Sequence, residues 1–209
     1  APIRYTLDGS KPGRCSKLYK DTLVINKTCT LTAVAVRKDV EPKYFVKSFD
    51  FHKAACRKIV EMTKPHSSYV YNAPANLLDG VRAAEIYKSG EWAGWRSRPF
   101  EVVIDMEGSE PYSSVTLGTL LSKSSRFFNP AEMSVSVSDD GQAFTEVANQ
   151  VYEPAASDFE DCIYDVVIEF PETSARYVKV RAKSFSQLPQ WHYDYGKVPS
   201  LLIDEVIVK

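Results

Sequence analysis

The chain has 209 residues, enough for one large or two small domains with cores of their own, and two is the expected number. Lys and Arg number 26 against 27 Asp and Glu, a formal net charge of -1, so no basic excess exists to neutralise a phosphate backbone and nucleic acid is excluded as the expected partner. No apolar run approaches the roughly 20 residues that span a bilayer, and Ala1-Pro2-Ile3-Arg4 falls straight into strand-like sequence without the apolar core of a secretion signal, as in a piece excised from a longer polypeptide.

Ile3, Tyr5 and Leu7 alternate with Arg4 and Thr6 before Asp8-Gly9 turns the chain, which predicts a strand running into a hairpin. Thr30 to Val36 is a second, more buried strand, rich in β-branched residues. Tyr44 to Phe51 alternates again, with Phe45, Phe49 and Phe51 expected inward. Residues 1–52 therefore read as a small antiparallel β-sandwich module without a helix.

A second strand series runs through residues 53–209, beginning at Arg57–Met62 and continuing with Phe100–Asp105, Ser114–Leu117, Met133–Ser138, Tyr164–Phe170 and Tyr177–Ala182. In Met133–Ser138 the valines share one face and the serines the other, and Asp139-Asp140-Gly141 then turns the chain. Short strands separated by Gly, Pro, Asn and Asp predict a sandwich or barrel, and no segment keeps a helical apolar period for three turns. The whole is expected to be all-β.

Four cysteines, Cys15, Cys29, Cys56 and Cys162, form neither a C-x-x-C pair nor a metal spacing with histidine, which argues against zinc. A bridge between Cys15 and Cys29 would contribute about 3 kcal/mol in an oxidising compartment, and buried free thiols are the alternative. His192 has no triad partner, and no Gly-x-Ser-x-Gly elbow exists, so acyl-transfer chemistry has no support.

The last third of the chain carries the candidate chemistry. A strand ending at Ala182-Lys183 leads into a long loop with Trp191, His192, Tyr193 and Tyr195, then into a closing strand from Leu201 to Val208. Aromatic faces pack against the C–H face of a pyranose, so Trp92, Trp95, Trp191, Tyr193 and Tyr195 are candidate sugar platforms, with Trp92, Tyr193 and Tyr195 expected to be the more exposed. Asp204-Glu205 lies in the closing strand, where alternation would send the two carboxylates to opposite faces and prevent them from sharing one substrate atom.

Ile3-Arg4-Tyr5-Thr6-Leu7-Asp8-Gly9-Ser10-Lys11-Pro12, followed by Lys17-Leu18-Tyr19 and Leu31-Thr32-Ala33-Val34-Ala35, resembles the fibronectin-type-III-associated module of bacterial glycosidases. Asn76-Leu77-Leu78-Asp79-Gly80, Trp92-Ala93-Gly94-Trp95, Val137-Ser138-Asp139-Asp140-Gly141-Gln142-Ala143-Phe144 and Arg176-Tyr177-Val178-Lys179-Val180 resemble the discoidin, or coagulation-factor type C, jelly roll. This order of modules is similar to the C-terminal tail of β-N-acetylhexosaminidases of the chitobiase type.

The resemblance implies a non-catalytic accessory region of a periplasmic, outer-membrane-associated or secreted bacterial glycoside hydrolase. Its expected state is monomeric, without a membrane span, and its expected partners are an N-acetylhexosamine- or galactose-containing glycan and a catalytic domain preceding Ala1. A purely structural spacer and an adhesion or protein-binding discoidin module are the alternatives. The family's structural calcium maps onto Asp79 and Glu205, with Arg82 a departure whose guanidinium would oppose a nearby cation. Against calcium, Asp79 would cap a turn and Glu205 would be a surface charge. Arg126 maps onto the loop from which sugar-binding discoidin modules often supply an arginine, whereas Trp95 and Trp191 fall where hexosaminidase tails use tryptophan for packing.

Overall fold

The computed structural model describes residues 1–37 and 40–209, which divide into two compact units, Ala1–Phe51 and His52–Lys209. Nearly all regular structure is β, and only single turns of 3-10 helix interrupt it. Among the described residues no helix is long and apolar enough to cross a membrane.

The first unit consists of β1 (Ile3–Thr6), β2 (Lys17–Leu18), β3 (Cys29–Ala35) and β4 (Tyr44–Phe49), antiparallel in the order β2-β1-β3-β4. Asp8 closes the turn after β1, its carboxylate accepting from the backbone and hydroxyl of Ser10 (3.0 and 2.6 Å), and Gly9 N–H donates to Thr30 O (2.9 Å). Thr32 and Val34 in β3 are buried. Where two packed sheets were expected, the described residues of this unit form one. The inward placement of Phe45 and Phe51 is accordingly corrected: they are 59% and 54% exposed, Phe45 because among the described residues no second sheet of the unit faces β4, Phe51 because it lies beyond the end of that strand. The four cysteines are free, with Cys15 and Cys56 exposed and Cys29 and Cys162 half-buried.

In the second unit β5 (Lys58–Met62), β6 (Ala93–Trp95), β7 (Phe100–Asp105), β8 (Pro111–Leu121), β9 (Glu132–Ser138), β10 (Thr145–Val151), β11 (Cys162–Ser174), β12 (Tyr177–Lys183) and β13 (Leu201–Val208) build two antiparallel sheets. Their orders are β10-β9-β12-β7-β5 and β11-β8-β13-β6. Alternation does the sorting: Val178, Val180 and Ala182 of β12 are fully buried with Met133, Val135, Val102 and Ile104, while Lys179, Arg181 and Lys183 face outward. Trp95 fills the same core edge-on to Phe100 at 4.7 Å and donates its Nε1–H to Thr63 O (2.9 Å). The turn after β9 is held by Asp140, which accepts from Gln142 N and Ala143 N (2.8 and 2.9 Å).

All eight residues of β13 are buried, yet the strand does not alternate throughout. Ile203 pairs with Thr119 and Val206 with Leu117, so Asp204 and Glu205 together oppose Gly118 alone. This bulge re-aims both carboxylates and overturns the expectation that they lie on opposite faces. Gly118 is what makes room. A Cβ built there would overlap Asp204 Oδ1 and come within 2.6 Å of Arg82 Nη2. Replacing Gly118 by Ala should therefore destabilise the domain by roughly 2 kcal/mol or more, read as a lower urea midpoint at unchanged slope, whereas Gly108→Ala, which meets open space, should be neutral.

Candidate functional site

Two groups of side chains on the second unit bear on function, one beneath the Asp79–Ala83 loop and one on the loops at residues 122–130 and 184–200. In the first, Glu205 is fully buried and accepts from Gly80 N (3.2 Å to each oxygen), and its Oε1 lies 2.9 Å from His52 Nε2. Val208 N–H donates to His52 Nδ1 (3.4 Å), which leaves the hydrogen on Nε2 to meet the carboxylate. Glu205 is thus not a surface charge. The Asp79 carboxylate lies within hydrogen-bonding reach of it, and Asp79 Oδ1 also accepts from Val81 N (2.8 Å), capping the turn. Desolvation, then the charge of Asp79, pushes the Glu205 pKa up to about 9.

Arg82 does not stand against this pair as a free cation. Its Nε donates to Asp204 Oδ2 (3.0 Å) and its Nη2 and Nη1 to the two oxygens of Asp165 (2.6 and 3.3 Å), while Ala83 N adds a second bond to Asp204 (2.9 Å). Burial raises the pKa of Asp204 against the opposing pull of Arg82. Its other oxygen, Oδ1, is buried without a hydrogen-bond partner, over Gly118. Sequence reasoning missed this Arg82–Asp204–Asp165 arrangement, for which the sequence carries no local signal.

The second group begins at the tight hairpin Ser122–Phe127. Ser122 and Phe127 exchange backbone bonds (3.0 Å each), Arg126 N–H donates to Lys123 O (3.2 Å), and Arg126 sits at φ 61, in the left-handed region. Asp161 anchors the hairpin by accepting from Ser122 Oγ (2.7 Å) and Lys123 N (2.8 Å). The 184–200 loop folds back on itself through Leu188 N to Lys197 O (2.7 Å) and two further turns, His192 N to Pro189 O and Tyr195 N to His192 O (2.9 Å each). His192 locks the loops together. Its Nδ1 accepts from Asp194 N (3.0 Å), so Nε2 carries the hydrogen and donates to Lys123 O (2.9 Å).

Tyr193 is 70% exposed, yet its hydroxyl donates to Ser124 O (3.1 Å) and one ring face stacks on His192 at 4.4 Å and 28°. Tyr195, 51% exposed, lies two residues on. Trp191 is half-buried against Phe128, Phe159 and His192, with Lys123 Nζ 5.8 Å from its ring. Arg126 Nη1 reaches Asp194 Oδ2 at 3.7 Å. The structure therefore gathers Arg126, Trp191, Tyr193 and Tyr195 on neighbouring loops and adds Lys123, Phe159 and Asp194, which sequence reasoning did not single out.

Trp92 is not among them. It is 0% exposed, donates Nε1–H to Ala84 O (2.8 Å) and packs with Ala83, Leu120, Phe127 and Leu202, which corrects its assignment as an exposed platform. The indole supports the hairpin that carries Arg126. Its hydrogen bond to Ala84 O satisfies the indole N–H and so allows full burial of the side chain.

The model of the F5/8 type C domain family matches residues 61–198, about two thirds of the chain, and the chain belongs to that family. Residues 1–49 match the model described as Fn3 associated. No curated protein sequence matches. Among solved structures, chitosan-binding module 1 from the chitosanase/glucanase of Paenibacillus sp. IK-5 is 15% identical, with 76% of this chain and 98% of that one covered and a TM-score of 0.47. CpGH89CBM32-5 of Clostridium perfringens, in complex with GalNAc-β-1,3-galactose, is 18% identical over 72% and 93% of the two chains, TM-score 0.46. The lectin binding domain of Lectinolysin, complexed with Lewis b, is 18% identical over 75% and 94%, TM-score 0.49.

Because Glu205 has a folded pKa raised to about 9, its contribution to stability is complete below its unfolded value near 4.5 and is lost as pH rises toward 9. In a chelator-containing buffer the thermal midpoint should fall across that window, with His52, Asp79 and Asp204 as the other facing ionisable groups. Glu205→Gln should flatten the slope, and an unchanged slope in that variant would assign the dependence elsewhere.

Proposed function

We propose that this chain is a non-catalytic accessory region of a secreted or periplasmic glycoside hydrolase of β-N-acetylhexosaminidase type, in which the F5/8 type C domain binds glycan weakly and the first unit docks against the catalytic domain. The observation that carries the glycan reading is Tyr193, a ring with one face free and the other fixed by His192 and its own hydroxyl bond. A flat apolar face that loses little freedom on binding suits the C–H face of a pyranose, while Arg126 and Asp194 stand by as polar partners for hydroxyls. Asp204 and Glu205 support the non-catalytic half of the reading: both are fully buried and taken up by Arg82, Ala83, His52 and Gly80. Exposed Tyr44, Phe45 and Val46 on β4 supply an apolar strand for docking.

A structural calcium belongs to the same proposal. Asp79 and Glu205 would hold it, because their two carboxylates converge, one of them fully desolvated, and present hard oxygens. Among the described residues no cluster of three or more His, Cys, Asp or Glu side chains is arranged to hold a metal, so the other ligands would be loop carbonyls and water. When bound, the ion would tie the Asp79–Ala83 loop to β13.

Titration with chitobiose and with galactose disaccharides, followed by calorimetry or NMR, should give dissociation constants between about 1 mM and 100 μM. Tyr193→Ala should weaken binding roughly tenfold and, because it removes one solvent-exposed hydrogen bond to Ser124 O, lower the thermal midpoint only slightly. The absence of any saccharide response in the intact chain would replace the glycan reading by that of a spacer. For the metal, millimolar calcium should raise the midpoint at pH 8 and Asp79→Asn should abolish the rise; an unmoved midpoint in the parent chain removes calcium from the proposal.

A further inference from the structure

A cavity of about 380 Å³ opens beside the base of the 184–200 loop, lined by Ser97, Arg98 and Pro99 from the turn before β7, by Arg181 and Lys183 at the end of β12, and by Ser184, Phe185 and Val198 from the two stems of the loop. Its volume lies within the roughly 300–1,000 Å³ of small-molecule sites. Alternation along β12 puts Arg181 and Lys183 on its outer face, since Val180 and Ala182 point into the core. Two of the three cations are already paired, Arg181 Nε with Glu101 at 3.4 Å and Lys183 Nζ with Glu132 at 2.6 Å. Among the described residues the exposed Arg98 guanidinium has no ion-pair or hydrogen-bond partner. The wall therefore carries one uncompensated positive charge.

Two further features mark the same wall. Ser184 lines the cavity and its Oγ is buried without a hydrogen bond, so its hydroxyl gives up no partner if it turns outward to a ligand. Ser97, next to Arg98, is held at φ 61, a left-handed conformation uncommon for a residue with a Cβ. Pro99, Phe185 and Val198 add apolar surface, so the lining combines what a sugar ring needs with a single cationic fork.

We infer that this cavity is a subsite for a carboxylated sugar residue of the uronic acid class, with Arg98 gripping the carboxylate in a bidentate fork and the Ser184 hydroxyl, once turned outward, meeting an adjacent ring oxygen. The single free charge matches a monoanion, and a carboxylate, far more basic than a sulfate monoester, accepts the stronger charge-assisted hydrogen bonds from the guanidinium fork. The inference rests on the glycan-binding reading above and names a substrate class for it. The site stands at the base of the loop whose tip bears Tyr193, so it can be tested separately from that ring.

NMR titration of the whole chain with D-glucuronic acid, its neutral amide and glucose 6-sulfate tests it. Glucuronic acid is expected to shift the amides of residues 97–98 and 184–186 saturably, with the amide and the sulfate ester each binding about tenfold more weakly. Arg98→Ala and Arg98→Lys should both weaken glucuronate about tenfold, the second because an ammonium cannot reproduce the fork, and Ser184→Ala should weaken it less. Equal binding of acid and amide, an unaffected Arg98→Ala variant, or shifts confined to other residues would overturn the assignment, and equal binding of the sulfate ester would overturn the carboxylate preference. Chitobiose shifting Tyr193 while glucuronate leaves the cavity untouched would sink the subsite and spare the glycan reading. Glucuronate bound at Arg98 with Tyr193 silent toward chitobiose and the galactose disaccharides would uphold the subsite and remove Tyr193 as the platform.

Discussion

The second unit is organised around a place where β13 breaks its alternation and buries two carboxylates opposite a single glycine. Removing two acids from water costs several kcal/mol each unless donors and cations replace the lost hydration. Here the replacement is local: Arg82 and Ala83 N for Asp204, Gly80 N and His52 for Glu205. The loop at residues 79–83 is bound to the centre of the sheet because the acids it satisfies have nowhere else to turn. Asp165 of β11 closes the arrangement by taking the remaining face of the Arg82 guanidinium.

From that clamp the order passes outward by packing. Ala83 lies directly after Arg82 and packs in a small apolar cluster with Trp92, Leu120, Phe127 and Leu202. Phe127 is the residue after Arg126, and the hairpin they share is bonded to the 184–200 loop through His192 and Tyr193. Loops that would otherwise be mobile are thus seated on buried aromatic side chains, and the exposed Tyr193 ring is presented with little conformational freedom left to lose. Trp92 acts on the site from beneath it, by fixing the hairpin, and never reaches solvent.

The 184–200 loop consequently offers different chemistry at its two ends. Its tip is aromatic, and the two cations there, Arg126 and Lys197, both pair with Asp194. Its base faces a wall whose cations outnumber the acids they pair with by one. A rigid sandwich with such a loop can vary its ligand by changing a few loop residues while the core stays as it is.

Much of this was legible in the chain itself. The strand positions, the turn at Asp139–Gly141, the absence of long helices and the aromatic character of residues 191–195 follow from two-residue alternation and turn chemistry, which depend only on near neighbours along the backbone. The exposure of Tyr193 and Tyr195 was readable for the same reason. Tertiary structure alone decided that Trp92 turns inward, that Phe45 and Phe51 stay exposed, that Asp204 and Glu205 share a bulge, and that Arg82 is neutralised rather than free. Each of those outcomes is set by how strands and loops far apart in sequence pair, and a register shift of one residue between β13 and β8 leaves no trace in either segment read separately.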